Sequence, residues 1–363
     1  MLSVTATDLP RVMQCNGSLT MPAHDYRGEI DTTVRDEGNA AHWLVEKCFR
    51  RADSAAAYAN MKAANGIFIT PEMAEHVQDY IDNLWRGGQF DNVEVETLIA
   101  GGAFEVKCRA DHICYKDNIL YIDDFKYGFK LIDVKDNWTL IAHAIGFCLT
   151  YDIRPEIITM VIHQPRARHP DGTRREWSVD YDTLAQKYYS QIVATLSNPT
   201  NMLNTGGNCR RCPSMTVCPA ATAAGFSAVE ESSLAFSQEI SNDELSAELD
   251  LLKAAETRLI DRRKALEELA IYRLRTGQLV KGYAVEQGKG NTTWRKGITP
   301  EMLLAFFGKD LTKGKLITPT QAKRVIANDE LFDALAATLT TRPETGVKLK
   351  RTDANTQAAS LLT

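Results

Sequence analysis

Four cysteines place the strongest constraint on how this chain folds. Three of them form a C-x₂-C-x₅-C cluster, Cys209, Cys212 and Cys218, which is followed by Pro219. Cysteines spaced this closely are typical of a metal or metal-cluster site. A fourth ligand would have to come from near the N-terminus, where Cys15 is the candidate. Such a site would staple together the two ends of a domain of roughly 210 residues.

The bulk composition is that of a soluble globular protein. The chain has 363 residues, a formal net charge of −5, 44% hydrophobic and 25% charged residues, which suggests two domains with cores of their own. No apolar run approaches the roughly 20 residues that span a bilayer, and the N-terminus lacks a signal-peptide pattern. We therefore expect a cytoplasmic protein with no membrane partner, in which disulfides are disfavoured.

Hydrophobic periodicity predicts eight elements before the cysteine cluster. Helical periods appear at 36–50, 71–86, 137–150 and 181–196. Alternating or β-branched runs typical of strands appear at 93–97, 104–110, 119–125 and 157–162, and a basic loop is expected at 166–175. This order predicts an α/β (α+β) fold with a mixed central sheet flanked by helices. Four other cysteines fall in apolar segments and are predicted to be small buried residues: Cys48, Cys108, Cys114 and Cys148.

A second region is predicted beyond residue 225, where the sequence turns small and polar. Ser241 and Glu244 match a capping box at the start of a long helix. That helix carries leucines at nearly heptad spacing: Leu245, Leu249, Leu252, Leu259 and Leu266. We therefore predict a domain at 1–225 and, at 226–363, a long helix plus a small, mainly helical accessory domain. The glycine-rich stretch at 288–291 lacks the spacing of a P-loop, so no nucleotide cofactor is expected.

The residues between the cysteines carry the chemistry. Asp111 ends one predicted strand, and a D-x-K triplet, Asp124 to Lys126, ends the next. Side-chain alternation puts Asp124 and Lys126 on one face, where Asp111 can join them. Two carboxylates can hold Mg²⁺ or Mn²⁺, and the backbone carbonyl of Phe125 can add another oxygen. With Lys126 orienting or helping to deprotonate a water, the triplet predicts metal-assisted phosphodiester hydrolysis; a plain surface ion pair is the alternative.

These residues resemble the PD-(D/E)XK nuclease superfamily, and in particular its RecB-like branch. That branch carries a metal-binding histidine spaced as G-x₃-H on an upstream helix, which Gly38 and His42 match. A subset that includes CRISPR-associated and AddB-type nucleases holds a 4Fe–4S cluster on one cysteine before the core and three after it. Cys15 and the later trio match that layout, and the resemblance covers about residues 10–220.

The resemblance implies a restriction-endonuclease-like fold and a Mg²⁺- or Mn²⁺-dependent deoxyribonuclease, an exonuclease or an enzyme that processes ends or single strands. His42, Asp111 and Asp124 would bind metal, Lys126 would assist the water, and the iron–sulphur cluster would be structural. Zinc bound by the four cysteines is the alternative cofactor. A non-catalytic DNA-binding or assembly factor that retains the fold is the alternative function.

Short motifs also resemble a phage-encoded group within this branch: Asn16 to Ser18, Asp124 to Gly128 and Gln164 to Arg166. For that group the resemblance implies DNA as substrate, a role in phage DNA replication or recombination, and a protein partner from those processes at the C-terminal region.

Other polar residues are candidate DNA contacts. The branch usually carries Q-x₃-Y on the helix after the D-x-K strand, and here Thr139 and His143 occupy those positions. Glu94 and Glu96 lie one strand before Asp111; either could complete the metal site, but solvent exposure is expected of both. A basic stretch is a candidate for phosphate contacts, with a merely solvated loop as the alternative: Arg166, Arg168, Arg174 and Arg175.

Overall fold

The structure, a computed structural model, describes residues 1–23, 33–231, 241–295, 297–312, 316–326 and 329–352. The chain forms two compact units, the first comprising the described residues up to Ala265 and the second beginning at Leu266. Within the described ranges, every helix is too short or too polar to cross a bilayer. The sequence-based division into 1–225 and 226–363 stays a prediction.

A six-stranded mixed sheet forms the centre of the first unit. Its strands are β1 (Leu2–Thr5), β2 (Phe90–Ala100), β3 (Phe104–Lys116), β4 (Ile119–Phe125), β5 (Ile157–His163) and β6 (Arg174–Asp180). Strand β2 pairs antiparallel with one edge of β3. The other edge of β3 pairs first with β1, which is parallel to it, and further along the chain with β4, which is antiparallel. Strand β5 continues parallel to β4, and antiparallel β6 follows.

Helices pack on both faces of this sheet. The helices described up to residue 231 are α1 (Leu9–Gln14), α2 (Thr33–Arg51), α3 (Pro71–Asp82), α4 (Trp138–Tyr151), α5 (Tyr181–Thr183), a π-helical turn (Leu184–Tyr189), α6 (Ser190–Ser197) and α7 (Pro219–Glu231), which follows the cysteine trio. One core joins the sheet to α1, α4 and α6, and includes Ile122, Ile141 and Ile192. The other joins it to α2 and α3, and includes Leu44 and Tyr80. The predicted mixed sheet flanked by helices is therefore confirmed.

Helix α4 lies close against the sheet. Asn137 caps its start, because the Asn137 side chain accepts hydrogen bonds from the backbone N–H groups of Thr139 and Leu140. A Cβ at Gly146 would lie only 2.5 Å from the hydroxyl of Thr97 on β2, so glycine permits the close approach. The helix predicted at 137–150 is thus confirmed and held firmly over β2 and β3.

Three elements at the margins of the first unit differ from the sequence-based expectation. The short β1 and α1 precede the first predicted helix. Strand β6 overturns the expectation of a basic loop through residue 175, because Arg174 and Arg175 begin a strand paired with β5. Charged side chains on a sheet-edge strand obscure the alternation by which strands are recognised, and such charges are typical of edge strands.

The buried thiols behave as expected. Cys48, Cys108, Cys114 and Cys148 are all buried. Burial raises the pKa of Cys108 and of Cys148 to about 12. These side chains therefore remain neutral thiols at neutral pH and serve as core residues.

A long helix, α8 (Asn242–Arg275), begins at the predicted capping box. Glu244 accepts hydrogen bonds from both the backbone and the hydroxyl of Ser241, at 2.9 and 2.7 Å. The leucines that mark its heptad rhythm are exposed: Leu245, Leu249, Leu252, Leu259 and Leu266. Residues 232–240, part of the predicted boundary segment, lie outside the described residues.

The second unit is a small mixed domain with its own core. Antiparallel pairs join β7 (Tyr283–Lys289) to β10 (Glu344–Arg351) and β8 (Thr293–Trp294) to β9 (Thr340–Thr341). Its helices are α9 (Pro300–Phe307), α10 (Pro319–Ile326) and α11 (Asp329–Leu339). Leu303, Ile326 and Phe332 lie at the centre of the core.

Candidate metal centre

Asp111 lies where the pairing partners of β3 change. The pairing with β1 ends at Lys107 of β3, and the pairing with β4 begins at His112. Asp111 therefore projects from a short unpaired stretch of strand edge. One of its carboxylate oxygens accepts a hydrogen bond from the backbone N–H of Phe125 at 2.8 Å. That bond ties Asp111 to the D-x-K triplet, as the sequence predicts.

His42, on helix α2, reaches the same point from the layer above the sheet. Its Nδ1 lies 3.3 Å from a carboxylate oxygen of Asp111. The ligand atoms of His42, Glu94 and Asp111 all lie within 4.8 Å of one another, which is close enough to hold one metal ion. A recess of about 430 Å³ opens here; its walls include these three residues together with Trp43, Glu46 and Arg109.

Glu94 is the residue that sequence reasoning misjudged. Its side chain is only 15% exposed, against the expectation of solvent exposure, whereas Glu96 is exposed as expected. The strand register pairs Val93 with His112 and Val95 with Ala110, so Glu94 lies opposite Asp111. Glu94 has a φ of +54°, which is strained for a residue with a side chain and is typical of functional sites.

Glu94 and Asp111 lie opposite each other, and a bound cation would offset the repulsion between their carboxylates. Like charges directly opposite in a sheet repel one another. Arg109 forms an ion pair with Glu94 and offsets part of that repulsion. Burial, with a further contribution from Asp124, raises the pKa of Asp111 in spite of the neighbouring His42. Only the register of β2 against β3, and no local motif, could have indicated Glu94.

Asp124 and Lys126 form a close pair beside Asp111. Their charged groups are 2.7 Å apart, and Asp124 is almost completely buried. Burial alone would lower the pKa of the Lys126 amine, but the carboxylates of Asp124 and Asp111 outweigh burial and raise it. Lys126 is therefore an ammonium group at neutral pH, suited to orienting a water or offsetting negative charge.

The two candidate DNA contacts on α4 have different surroundings. His143 is buried, and its Nδ1 has no hydrogen-bond partner among the described residues. Burial lowers the pKa of His143 to about 4, against the attraction of Asp124, so the ring is neutral at pH 7. His143 thus lies near the D-x-K pair as the predicted helix face requires, whereas half-buried Thr139 lies in the first turn.

The four basic candidates are divided between the interior and the surface. Arg175 is 5% exposed and donates hydrogen bonds to backbone carbonyls. Arg166 is paired with Glu37 at 2.6 Å. Arg168 is exposed, and half-buried Arg174 pairs with Glu176. Of the four, Arg168 therefore has the surroundings best suited to a phosphate contact.

Asp123, the neighbour of Asp124, faces the opposite side of the sheet, because successive side chains of a strand alternate. Its carboxylate lies 3.0 Å from Nδ1 of His112, which is fully buried. Nε2 of the same imidazole lies 3.1 Å from Asp91. His112, the neighbour of Asp111 in β3, therefore bridges two carboxylates, a role that the sequence did not indicate.

The N-terminal segment is tied to the segment before the cysteine trio. The backbone N–H of Gly17 donates to Met202 O at 2.9 Å, and a Cβ at Gly17 would lie 2.5 Å from that oxygen. The backbone N–H of Asn204 lies 3.4 Å from Sγ of Cys15, and that of Gly206 lies 3.4 Å from Sγ of Cys209. The ends of the first 220 residues thus meet, as a staple requires.

The four cysteines of the predicted cluster lie near one another. Burial raises the pKa of Cys209, and negative charge on Cys212, Cys218 and Cys15 would raise it further. Among the described residues, no three of these sulfurs lie within 4.8 Å of one another. A tetrahedral zinc site with bonds of about 2.3 Å would bring its sulfurs to about 3.8 Å.

Comparisons with known proteins give a family and two distant structural neighbours. The profile of a family described as "Protein of unknown function (DUF2800)" matches residues 2–355. The crystal structure of SSO0001 has a TM-score of 0.28 and 16% identity, covering 60% of this chain and 86% of that one. A crystal structure described as that of a "Putative exonuclease" from Eubacterium rectale has a TM-score of 0.32 and 12% identity, covering 68% and 93%. Both TM-scores are too low to carry an argument about this chain.

Proposed function

The chain belongs to the DUF2800 family, and we propose that it is a Mg²⁺- or Mn²⁺-dependent deoxyribonuclease of the PD-(D/E)XK type. One observation carries this proposal: His42, Glu94 and Asp111, from α2, β2 and β3, line one recess with their ligand atoms within 4.8 Å of one another. The pair of Asp124 and Lys126 adjoins Asp111 at the end of β4. The alternative, a DNA-binding factor without catalysis, has the same fold but does not require this set of groups.

The donor set fits a divalent cation. Imidazole nitrogen and carboxylate oxygen suit Mn²⁺, and carboxylate oxygen suits Mg²⁺. The strained Glu94 and the raised pKa of Asp111 are both consistent with a site whose acids are held for a cation. When bound, the metal would polarise the phosphate and lower the pKa of a water. We assign His42, Glu94, Asp111 and Asp124 as ligands, with the Phe125 carbonyl as a further oxygen.

The remaining polar groups hold charge and orient the substrate. The Lys126 ammonium, anchored by Asp124, can donate a hydrogen bond to the attacking water or to a phosphate oxygen. Asp111 is fixed by the Phe125 N–H, so its second oxygen faces His42. Neutral His143 adds a buried imidazole near Asp124 without adding positive charge.

DNA is the proposed substrate, on the basis of the RecB-like motifs and of exposed Arg168. An exonuclease or an enzyme acting on ends or single strands is the form that the resemblance favours. A replication or recombination partner at the C-terminal region, and a phage origin, stay predictions from that resemblance.

Metal removal tests the proposal directly. We expect purified protein with Mg²⁺ or Mn²⁺ to cleave DNA, and excess EDTA to abolish cleavage, because the proposed chemistry requires the cation. The substrates are single- and double-stranded oligonucleotides labelled at the 5′ or the 3′ end, so that the product ladder also gives polarity. DNA binding with no cleavage under any metal condition would contradict the nuclease and favour the non-catalytic alternative.

We further propose that Cys15, Cys209, Cys212 and Cys218 hold a structural 4Fe–4S cluster. Backbone amides point at the sulfurs of Cys15, Cys209 and Cys218, at 3.4 to 3.5 Å, and amide–sulfur hydrogen bonds are typical of iron–sulphur sites.

A pair of cysteine variants separates this cluster from ordinary buried thiols. Protein purified without oxygen should be brown, and Cys209→Ser should lose most of the visible absorbance and bound iron because one thiolate ligand is gone. Cys148→Ala, which removes a buried thiol from α4, should keep both. A colourless wild type with stoichiometric zinc would contradict the iron–sulphur assignment and support the zinc alternative.

A further inference from the structure

The loop that follows β4 is held by buried side chains behind it. Gln164 donates to the carbonyl oxygens of Gly128 and Lys130, at 3.1 and 2.7 Å. Arg175 donates to the Ile132 carbonyl at 2.9 Å and to the Gln164 side chain at 3.0 Å. Gln164 and Arg175 are both buried. Three alternate carbonyls are therefore fixed to the body of the protein.

The residues between these anchors carry apolar side chains that stay in solvent. Phe129 is 58% exposed and Leu131 is 48% exposed. Exposing a phenyl ring has a hydrophobic cost that a freely moving loop would reduce by folding the ring inward. The anchored carbonyls oppose that movement. The loop is thus built to present Phe129 to something outside the protein.

A second feature fixes the orientation of the ring. The guanidinium of Arg166 lies 4.0 Å from the centroid of Phe129 and 4.7 Å from that of buried Tyr127. Arg166 is itself held by Glu37 of α2. Because Glu37 offsets its charge, Arg166 acts here mainly as a brace: it covers one face of the phenyl ring, and more than half of Phe129 remains exposed.

We propose that Phe129 is a stacking platform for an unpaired nucleobase, so that the enzyme takes single-stranded DNA or a frayed end. This inference rests on the proposed function and specifies its substrate. Every base offers a flat face for stacking on an aromatic ring, whereas a base inside a duplex has both faces covered by its neighbours. The platform is three residues beyond Lys126, on the loop that leaves the site strand.

DNA binding in EDTA tests the platform separately from cleavage. We expect Phe129→Ala to weaken binding of a single strand about tenfold and to leave binding of a covalently closed circular duplex, which has no end to fray, unchanged. Phe129→Leu should weaken it similarly, because leucine is apolar but cannot stack, while Phe129→Trp should keep the affinity. Phe306→Ala is the matched control, since Phe306 is a 46% exposed phenylalanine on α9 of the second unit. Thermal unfolding should show all variants folded.

An abasic scan along the single strand locates the contact. One missing base should weaken binding of the wild type but have no additional effect on Phe129→Ala, because the stacking partner is already gone. Unchanged single-strand affinity in Phe129→Ala would contradict the stacking platform and indicate that Phe129 belongs to a protein-docking surface. An equal loss of affinity for single strand and duplex would also contradict it, and would indicate a general defect of the variant. Metal-dependent cleavage by the wild type, together with DNA binding that Phe129→Ala leaves unchanged, would contradict only the stacking platform. Single-strand binding that depends on Phe129, with no cleavage under any metal condition, would contradict only the proposed nuclease activity.

Discussion

Replacing Asp124 by asparagine should reduce metal-dependent DNA cleavage by at least about a thousandfold while the protein stays folded. Asparagine keeps the size of a side chain that is only 3% exposed, but it removes the negative charge. Loss of that charge weakens the cation site and leaves Lys126 with a neutral amide in place of the carboxylate that lies 2.7 Å away. A thousandfold loss corresponds to about 4 kcal/mol of barrier, which is the scale expected for metal-assisted catalysis.

Two measurements separate a catalytic effect from a structural one. The cleavage rate is measured in single turnover at saturating Mg²⁺, and Mn²⁺ affinity is measured by calorimetry on protein without DNA. Both should fall in Asp124→Asn, whereas the urea midpoint in EDTA should move little, because the 30% exposed Lys126 side chain can be solvated.

Two glutamates on β2 form a matched pair of variants: one carboxylate lies at the proposed metal site and the other lies away from it. Glu94→Gln should weaken Mn²⁺ binding, because Glu94 faces Asp111 and His42. Glu96→Gln, two residues along the same strand, removes an exposed carboxylate and should change neither metal affinity nor rate. Cleavage by Asp124→Asn within tenfold of the wild type would show that catalysis occurs elsewhere.

The parts of the fold that the sequence predicts well are those with strong local patterns. Strand β4 has the predicted bounds, 119–125, because its apolar run directly follows a turn at 116–118 that marks where it begins. The close approach of Asp124, Lys126 and Asp111 follows from side-chain alternation and from the succession of β3 and β4. Their roles remain proposals, but their proximity could be predicted without a structure.

The parts that could not be predicted depend on register and on contacts across the sheet. Glu94 joins the site only because β2 and β3 pair in one register with a strained residue between the paired positions. His112 meets Asp123 for the same reason, as the two are cross-strand partners. A one-residue slip would turn each of these side chains to the other face of the sheet.

Among the buried polar pairs near the site, the pair of His112 and Asp123 should contribute most to the stability of the folded protein. We expect Asp123→Ala to lower the free energy of unfolding by about 1–3 kcal/mol. The change removes the carboxylate that lies 3.0 Å from Nδ1 of the fully buried His112 imidazole, and that nitrogen then has no hydrogen-bond partner. Urea denaturation in EDTA measures the loss, and Glu96→Ala, an exposed acid on β2, should stay within about 0.5 kcal/mol of wild type.

The same pair should also help to position the proposed metal ligands, because His112 follows Asp111 and Asp123 precedes Asp124 in the paired strands. A double variant distinguishes the two contributions. Replacing both His112 and Asp123 by leucine removes the polar pair together, so stability should recover much of the loss seen in Asp123→Ala. Asp91 keeps its contacts with Arg86 and with the Gly87 N–H in that variant. A double variant as unstable as Asp123→Ala would instead mean that shape and packing, rather than an unpaired buried group, account for the effect.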